Sequence, residues 1–197
     1  MDRQTLLFEY PRASPDSYLR PVVKIELGAR SDTEPTETPE IRPYLADLDE
    51  TILGPSTFTV KTVAPERTFW EKAMLLHEER HRSGGVAPKS RLSRHYYDLF
   101  RLLGAGVGAK AAADLPLFER IAAHRTVYFS KAKEAQSTLK PGTLQLLPAA
   151  GVEAEWRRDY AAMSEVMFFG RPPTFDEILS KVAAFERSFN GRMETET

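Results

Sequence analysis

Residues 57–82, TFTVKTVAPERTFWEKAMLLHEERHR, contain the change of pattern that decides the fold. Up to residue 63, polar and apolar side chains alternate and β-branched residues are frequent, which predicts a strand over 57–63. From Pro65 the apolar residues recur at helical spacing, and the pattern predicts a helix over 65–82 that stops at the glycines 84–85. Strand and helix therefore follow each other within one short stretch.

Outward from this stretch, a strand precedes and helices follow. Residues 22–27 alternate, with Val23, Ile25 and Leu27 on one apolar face, and this predicts a strand. Capping and periodicity predict four later helices: one from a Ser93 cap to near Gly104, and others at about 109–136, 151–168 and 174–190, the last with a Thr174 cap. The predicted fold class is α+β, with a partial sheet in residues 1–64 and a helical part over 65–197 that together form one compact unit.

The composition excludes several classes of protein. The 197 residues include 27 basic and 28 acidic side chains and no cysteine, and the formal net charge is −1. A disulfide-stapled secreted domain needs cysteines, and a disordered charged tail needs a large imbalance of charge, so neither class fits. No apolar run approaches the roughly 20 residues of a membrane span, and residues 1–4 lead into no signal peptide. We therefore expect a cytoplasmic protein with no membrane partner.

Charge is distributed unevenly along the chain. Residues 31–50 carry seven acids and one arginine between prolines, which is typical of an exposed loop. Residues 80–97 contain no acid but several arginines, a lysine and two histidines, and this indicates an anion-facing surface. An ordinary solvated loop is the alternative for such a charge run.

The segment His77-Glu78-Glu79-Arg80-His81 matches the H-E-x-x-H pattern of zinc hydrolases, in which both histidines bind zinc and the glutamate is the general base. The longer form of the motif needs a third histidine at a position that is Ala87 here. Because the segment is a charged helix end, we favour a polar terminus with accidental spacing and expect no zinc. The zinc hydrolase is retained as the less favoured alternative.

Three charged residues form another candidate set. Lys72 lies on or beside the apolar stripe of the predicted helix, where a buried ammonium would need an anion. Asp98 follows Arg94 by one helical turn, and Glu26 lies on the polar face of the strand 22–27. The alternatives are a snorkelling lysine, a helix-surface ion pair and a solvent-facing strand carboxylate.

The order of these segments resembles the AbiEii/AbiGii toxin family of nucleotidyltransferases. The resemblance rests on four segments in the right order: Val23-Lys24-Ile25-Glu26, Arg67 to Ala73 with Leu75-Leu76-His77, Ser93 to Leu99, and a distal part that contains Arg158 to Met163, Met167-Phe168-Phe169, Phe175 to Ile178 and Phe189-Asn190. It implies a nucleotidyltransferase-like fold, nucleotide transfer to an RNA such as tRNA, and the toxin role in a pair with an antitoxin protein.

The resemblance also implies roles for individual residues. Glu26, Lys72 and Asp98 would be catalytic, with Glu26 as a magnesium ligand and Lys72 on the nucleotide phosphates. Arg91 and Arg94 would assist phosphate binding. The implied cofactors are Mg²⁺ and a nucleoside triphosphate, and these parts suit a reaction that depends on positioning and charge neutralisation.

One part of the family pattern is missing. A Gly-Ser turn followed by an Asp-x-Asp pair should precede the Glu26 strand, and residues 1–21 contain neither. The acids Asp47 and Asp49 come after that strand. Two hypotheses follow: a truncated nucleotidyltransferase, and a non-catalytic module whose residues 80–97 bind nucleic acid or the antitoxin. An incomplete sheet would also leave apolar surface exposed and favour self-association into a homo-oligomer.

Overall fold

The computed structural model describes residues 4–11, 20–28, 32–47, 54, 56–82, 88–128, 133–168 and 170–194. Several features of the sequence lie outside these residues, namely the glycines 84–85, Ala87, Leu48, Asp49 and Phe169. Among the described residues, no helix combines the length and the apolar character that a bilayer span requires.

The strands form three separate antiparallel ribbons among the described residues. Their bounds are β1 Gln4–Glu9, β2 Val22–Leu27, β3 Thr36–Glu37, β4 Glu40–Ile41, β5 Phe58–Thr59 and β6 Thr62–Val63. β1 pairs with β2, β3 with β6 and β4 with β5. The predicted strand over 22–27 is confirmed, whereas the predicted strand over 57–63 is divided, because its two halves pair with different partners.

Seven α-helices occupy the rest of the described chain, so the predicted α+β class is confirmed. Their bounds are α1 Pro65–Arg80, α2 Arg94–Gly104, α3 Val107–Ala113, α4 Leu115–Tyr128, α5 Lys133–Ser137, α6 Glu153–Met167 and α7 Phe175–Glu194. A 3₁₀ turn covers Tyr44–Asp47.

The single helix predicted over about 109–136 is wrong, since α3, α4 and α5 are separate. The Asp114 carboxylate accepts a hydrogen bond from the Leu117 N–H at 3.0 Å and so caps α4. Pro116, in the first turn of α4, has no N–H to continue the hydrogen-bond ladder of α3. The Thr174 cap predicted for the last helix is confirmed, because Thr174 and Glu177 bond each other's backbone N–H groups.

Helix α1 lies at the centre of the helical part and packs against α2, α3, α4 and α5. Trp70 is fully buried, with ring centroids 4.8 Å from Phe118 and 5.0 Å from Phe189. Its indole N–H donates to the Ala111 carbonyl at 3.1 Å. The aromatic cluster therefore joins α1, α3, α4 and α7 in one core.

An extended segment after α5 is held between the helices by side-chain hydrogen bonds. Asn190 of α7 bonds both the N–H and the carbonyl of Leu144, at 3.0 and 2.9 Å. The Leu146 N–H donates to the Glu186 carboxylate, and the Leu146 carbonyl accepts from the Tyr96 hydroxyl at 2.6 Å. Polar side chains thus satisfy backbone groups that helices and strands would otherwise pair.

The predicted acidic loop is partly anchored to the helices. Asp32 receives two hydrogen bonds from Arg120, at 2.6 and 2.8 Å, and one at 3.1 Å from the fully buried Arg67. Burial alone would raise the pKa of Asp32, but the bonds from Arg120 and Arg67 lower it below its usual value. The predicted exposed loop is therefore wrong at Asp32. The buried guanidinium of Arg67 needs an anion, and the Asp32 carboxylate supplies it.

The β1–β2 hairpin makes its extensive contacts between its own two strands. Its register places five apolar side chains on one face, and these remain 43% to 55% exposed: Leu6, Phe8, Val23, Ile25 and Leu27. The apolar face predicted for the strand 22–27 is present, and the described part of the chain leaves it open to solvent.

Candidate functional site

Helix α1 carries Lys72, the first residue of the candidate site, at the edge of its buried face. Pro65 starts this helix, as its fixed φ and missing N–H favour. Phe69 and Leu76 are buried in the core, whereas Lys72 keeps 24% of its side chain exposed. Lys72 is therefore partly accessible on a helix whose buried face is fixed by packing.

Lys72 meets Asp98 where α1 packs against α2. The distance from Lys72 Nζ to Asp98 Oδ2 is 2.6 Å, and 34% of the Asp98 side chain is exposed. The structure thus brings two of the three predicted catalytic residues together. A partly exposed ion pair of this kind contributes at most about 1 kcal/mol to stability.

His95 lies near the same carboxylate oxygen as Lys72. Its Nδ1 atom is 3.9 Å from Asp98 Oδ2, and its side chain is only 12% exposed. Burial, followed by the positive charges of Lys72 and Arg94, lowers the pKa of His95 to about 4, although Asp98 opposes this shift. His95 is therefore neutral near pH 7.

The start of α2 is fixed from another helix. Asp159 of α6 accepts the N–H of Arg91 at 2.6 Å and the N–H of Ser93 at 2.9 Å. Arg91 has a φ of 68°, a left-handed conformation that is uncommon outside glycine. The predicted cap by the Ser93 side chain is wrong, because the Ser93 hydroxyl makes no capping bond. The Asp159 carboxylate instead fixes the backbone just before the helix.

The basic stretch 80–97 is divided by the fold. Lys89 and Arg94 are exposed beside the start of α2, whereas Arg80 and Arg82 are half-buried at the end of α1. Arg82 Nη1 lies 3.4 Å from Glu79 Oε2, an acid just before the stretch. Within residues 88–94, Lys89 and Arg94 are therefore the exposed cations, and residues 83–87 lie outside the described chain.

Glu26, the third predicted catalytic residue, lies on the β1–β2 hairpin. Its Oε1 atom is 2.9 Å from Lys24 Nζ, and about half of each side chain is exposed. β2 makes its extensive contacts with β1, whereas α1 and α2 pack against each other. Glu26 thus belongs to a different part of the described structure from the Lys72–Asp98 pair.

The described residues around Glu26 and Asp98 do not fit a magnesium ion. Within the described ranges, no group of three or more His, Cys, Asp or Glu side chains is arranged to hold a metal. Asp98 and Glu26 each have a carboxylate oxygen within hydrogen-bond distance of a lysine ammonium. Magnesium binds through several oxygen ligands, whereas each of these two carboxylates already contacts a lysine ammonium.

His77 of the H-E-x-x-H segment has a structural role in the fold. His77 is fully buried, and its Nδ1 accepts a hydrogen bond from the Gln145 N–H at 3.0 Å. Its Nε2 lies 3.2 Å from the Ala135 carbonyl and 3.1 Å from Thr138 Oγ1. Since both ring nitrogens are used by the protein, zinc would have to displace one of these bonds.

Two residues of this region were not predicted to belong to the site. His95 lies in the basic stretch and in the segment Ser93 to Leu99, and its spacing of three from Asp98 was the available signal. Asp159 was noted only in the distal part of the resemblance, because no local pattern relates residue 159 to residues 91–93. The contact joins residues 66 to 68 positions apart, which only the packing of α6 beside α2 can bring together.

Comparisons with known proteins agree with the resemblance seen in the sequence. The model of the family described as nucleotidyl transferase AbiEii toxin, Type IV TA system, matches residues 2–181. No curated protein and no solved structure matches the chain. The family match covers most of the 197 residues and includes Lys72, Asp98 and the helices that carry them. The chain therefore belongs to the AbiEii nucleotidyl transferase toxin family.

Proposed function

We propose that this chain transfers a nucleotide from a nucleoside triphosphate to an RNA acceptor such as tRNA, and that Lys72 binds the triphosphate. The observation that carries the proposal is the 2.6 Å contact between Lys72 Nζ and Asp98 Oδ2. Both residues were selected from the sequence, where they are 26 positions apart, and they meet at the junction of α1 and α2. The family to which the chain belongs is one of nucleotidyltransferases.

The geometry of the pair suits phosphate binding. Lys72 is anchored through its buried helix, and its ammonium reaches a partly exposed carboxylate. A triphosphate oxygen can replace that carboxylate, because the anion carries more charge and the ammonium can donate three hydrogen bonds. The exposed Arg94 lies one helical turn before Asp98, so a second cation stands beside the same place.

The chemistry needs few protein groups. The acceptor hydroxyl oxygen bonds to the α-phosphorus, the bond from that phosphorus to the bridging oxygen breaks, and pyrophosphate leaves with both electrons. The hydroxyl proton passes to a base or to solvent. Lys72 would stabilise negative charge on the phosphates, and Asp98 would hold Lys72 before the nucleotide binds.

The RNA acceptor would bind the positive surface formed by Lys89, Arg91 and Arg94. These residues precede or begin α2, where the helix dipole adds positive potential.

We place the reaction in the cytoplasm, with an antitoxin protein as the partner that opposes the toxin. The open apolar face of the β1–β2 hairpin is consistent with self-association.

A second candidate is a binding module that does not transfer a nucleotide. The position of Glu26 favours it, because this acid pairs with Lys24 on a hairpin whose extensive contacts are internal. In that case residues 88–94 would bind RNA or the antitoxin through charge alone, and binding would weaken as salt increases.

The test is transfer of label from each of four α-labelled nucleoside triphosphates to total tRNA in the presence of magnesium. Lys72→Ala is compared with the wild type and with Lys110→Ala, which removes an exposed lysine of α3. Transfer that persists in Lys110→Ala and disappears in Lys72→Ala supports the proposal. Salt-sensitive tRNA binding without transfer supports the binding module, and neither transfer nor binding overturns both.

A further inference from the structure

His95 is placed to interact with Asp98 but does not yet do so. Its Nδ1 lies 3.9 Å from Asp98 Oδ2, beyond hydrogen-bond distance, and Lys72 Nζ occupies the same oxygen at 2.6 Å. His95 Nδ1 is buried and has no hydrogen-bond partner within the described part of the chain. A buried nitrogen without a partner costs free energy, so its position beside a carboxylate calls for an explanation.

The charges around His95 come from two helices. Lys72 of α1 and Arg94 of α2 oppose protonation of the imidazole, whereas Asp98 of α2 favours it. Burial acts in the same direction as the two cations and is the larger effect. The imidazole is therefore neutral while the ammonium of Lys72 stays beside Asp98.

We propose that His95 is a positioning residue for Asp98, which takes up a proton and replaces Lys72 as the partner of that carboxylate when triphosphate oxygens bind Lys72. This inference rests on the proposed function, because it requires an anion that draws Lys72 away from Asp98. It adds to that function a role for His95 and the uptake of one proton by its ring, neither of which phosphate binding by Lys72 requires.

The exchange of Lys72 for His95 as the partner of Asp98 has three steps. Phosphate oxygens neutralise the ammonium of Lys72, so its repulsion of a charged imidazole falls. Asp98 then lacks its 2.6 Å partner and attracts a proton to the nearest base. The protonated Nδ1 of His95 closes the gap by a small side-chain rotation and donates to Asp98 Oδ2. The Asp98 carboxylate thus keeps a hydrogen-bond partner throughout, and one proton is taken from solvent.

The closing experiment is an NMR titration of the histidine rings, with His95→Gln used to assign the His95 signal. The pKa of His95 is measured in the wild type, in Lys72→Met and in the matched control Lys110→Met. We expect Lys72→Met to raise this pKa by about one unit or more and Lys110→Met to leave it unchanged. An unchanged pKa in Lys72→Met would overturn the role of His95, and this arm needs no ligand.

The same titration with inorganic tripolyphosphate separates the inference from the proposed function. A wild-type His95 pKa that rises on addition of tripolyphosphate supports both, provided that Lys72→Met shows no further rise. The other informative result is a His95 pKa that is higher in Lys72→Met than in the wild type but does not change when tripolyphosphate is added to the wild type. This result supports the coupling among Lys72, Asp98 and His95 and overturns phosphate binding at Lys72.

Loss of a nearby positive charge raises the His95 pKa by itself, so the positioning role also requires a direct sign of the new bond: a His95 Nδ1–H resonance that moves downfield when tripolyphosphate is added and is absent in Asp98→Asn. No such resonance in the wild type would overturn the positioning role.

Discussion

The β1–β2 hairpin and helix α1 have equally clear apolar patterns but opposite surroundings. Phe69, Trp70 and Leu76 on α1 are almost completely buried, whereas Phe8 and Ile25 on one face of the hairpin keep about half of their surface exposed. Four helices pack around α1, while the two hairpin strands contact mainly each other. The difference shows that an apolar face becomes a core only where other elements supply a second surface.

Energetics follow from the same difference. Burial of a large apolar side chain contributes about 1.5–3 kcal/mol relative to its exposed state, so α1 accounts for a large share of the stability of the helical part. A two-stranded hairpin without a covered face is marginal in water. We therefore expect α1 and α2 to fix the geometry of the candidate site, and we expect the hairpin to contribute little to it.

The largest contrast is expected for aromatic truncation. Trp70→Ala removes the ring packed between Phe118 and Phe189 and should lower the free energy of unfolding by about 3–5 kcal/mol. Phe8→Ala removes a ring that is 55% exposed and should change it by less than about 0.5 kcal/mol. Urea unfolding followed by tryptophan fluorescence or circular dichroism measures both. A loss of similar size in Phe8→Ala would mean that the hairpin face is covered in solution.

Ion pairs should show the next largest contrast. Arg125 and Glu78 form a bidentate pair at 2.7 Å with both side chains nearly buried, whereas Lys24 and Glu26 form an exposed pair on the hairpin. Arg125→Met leaves a buried carboxylate and should cost about 3 kcal/mol. Lys24→Met should cost less than about 0.5 kcal/mol. Thermal or urea unfolding distinguishes the two, and equal losses would contradict the difference in burial.

Acid should destabilise the helical part through His77. Burial, followed by the charge of His81, lowers the pKa of His77 to about 4, and the unfolded chain has the usual value near 6.5. Between these values the unfolded state binds more protons, so the free energy of unfolding falls as pH decreases from 6.5 towards 4. At pH 5 the loss from this one residue is about 2 kcal/mol.

His77→Gln provides the control for this effect. The variant lacks the titrating ring, so its unfolding free energy should depend less on pH between 8 and 5 than that of the wild type, by about the same 2 kcal/mol. The hairpin strands contain no histidine and should not contribute in this range. Parallel pH profiles for the two proteins would show that His77 is already protonated or exposed in the native state.

The smallest contrast concerns two tyrosines that each donate to a backbone carbonyl. The Tyr96 hydroxyl bonds the Leu146 carbonyl at 2.6 Å in the core, and the Tyr10 hydroxyl bonds the Arg20 carbonyl at 3.4 Å in an exposed position beside the hairpin. Tyr96→Phe leaves a buried carbonyl unpaired and should cost about 1–1.5 kcal/mol. Tyr10→Phe should have no measurable effect on urea unfolding, and a loss as large as that of Tyr96→Phe would contradict the exposed position.

Local patterns predicted much of the fold. The strand over 22–27 and the start of α1 at Pro65 were predicted correctly, because alternation and a proline at a helix start act over a few residues. The split of 57–63 into two strands was not predicted, since it depends on pairing with residues 36–41. The break at Asp114 had a local signal in Pro116 that the apolar periodicity of 109–136 obscured.

Periodicity and capping, which are local properties, and the order of the motifs along the chain were enough to predict the fold class, the family and the choice of Lys72 and Asp98. Which of these charges meet depends on the tertiary packing. It joined Lys72 to Asp98, set His95 beside them, fixed the start of α2 with Asp159 and left Glu26 on the hairpin with Lys24. The reason is physical: a charge finds its partner through the packing of distant elements, and a local pattern does not specify that packing.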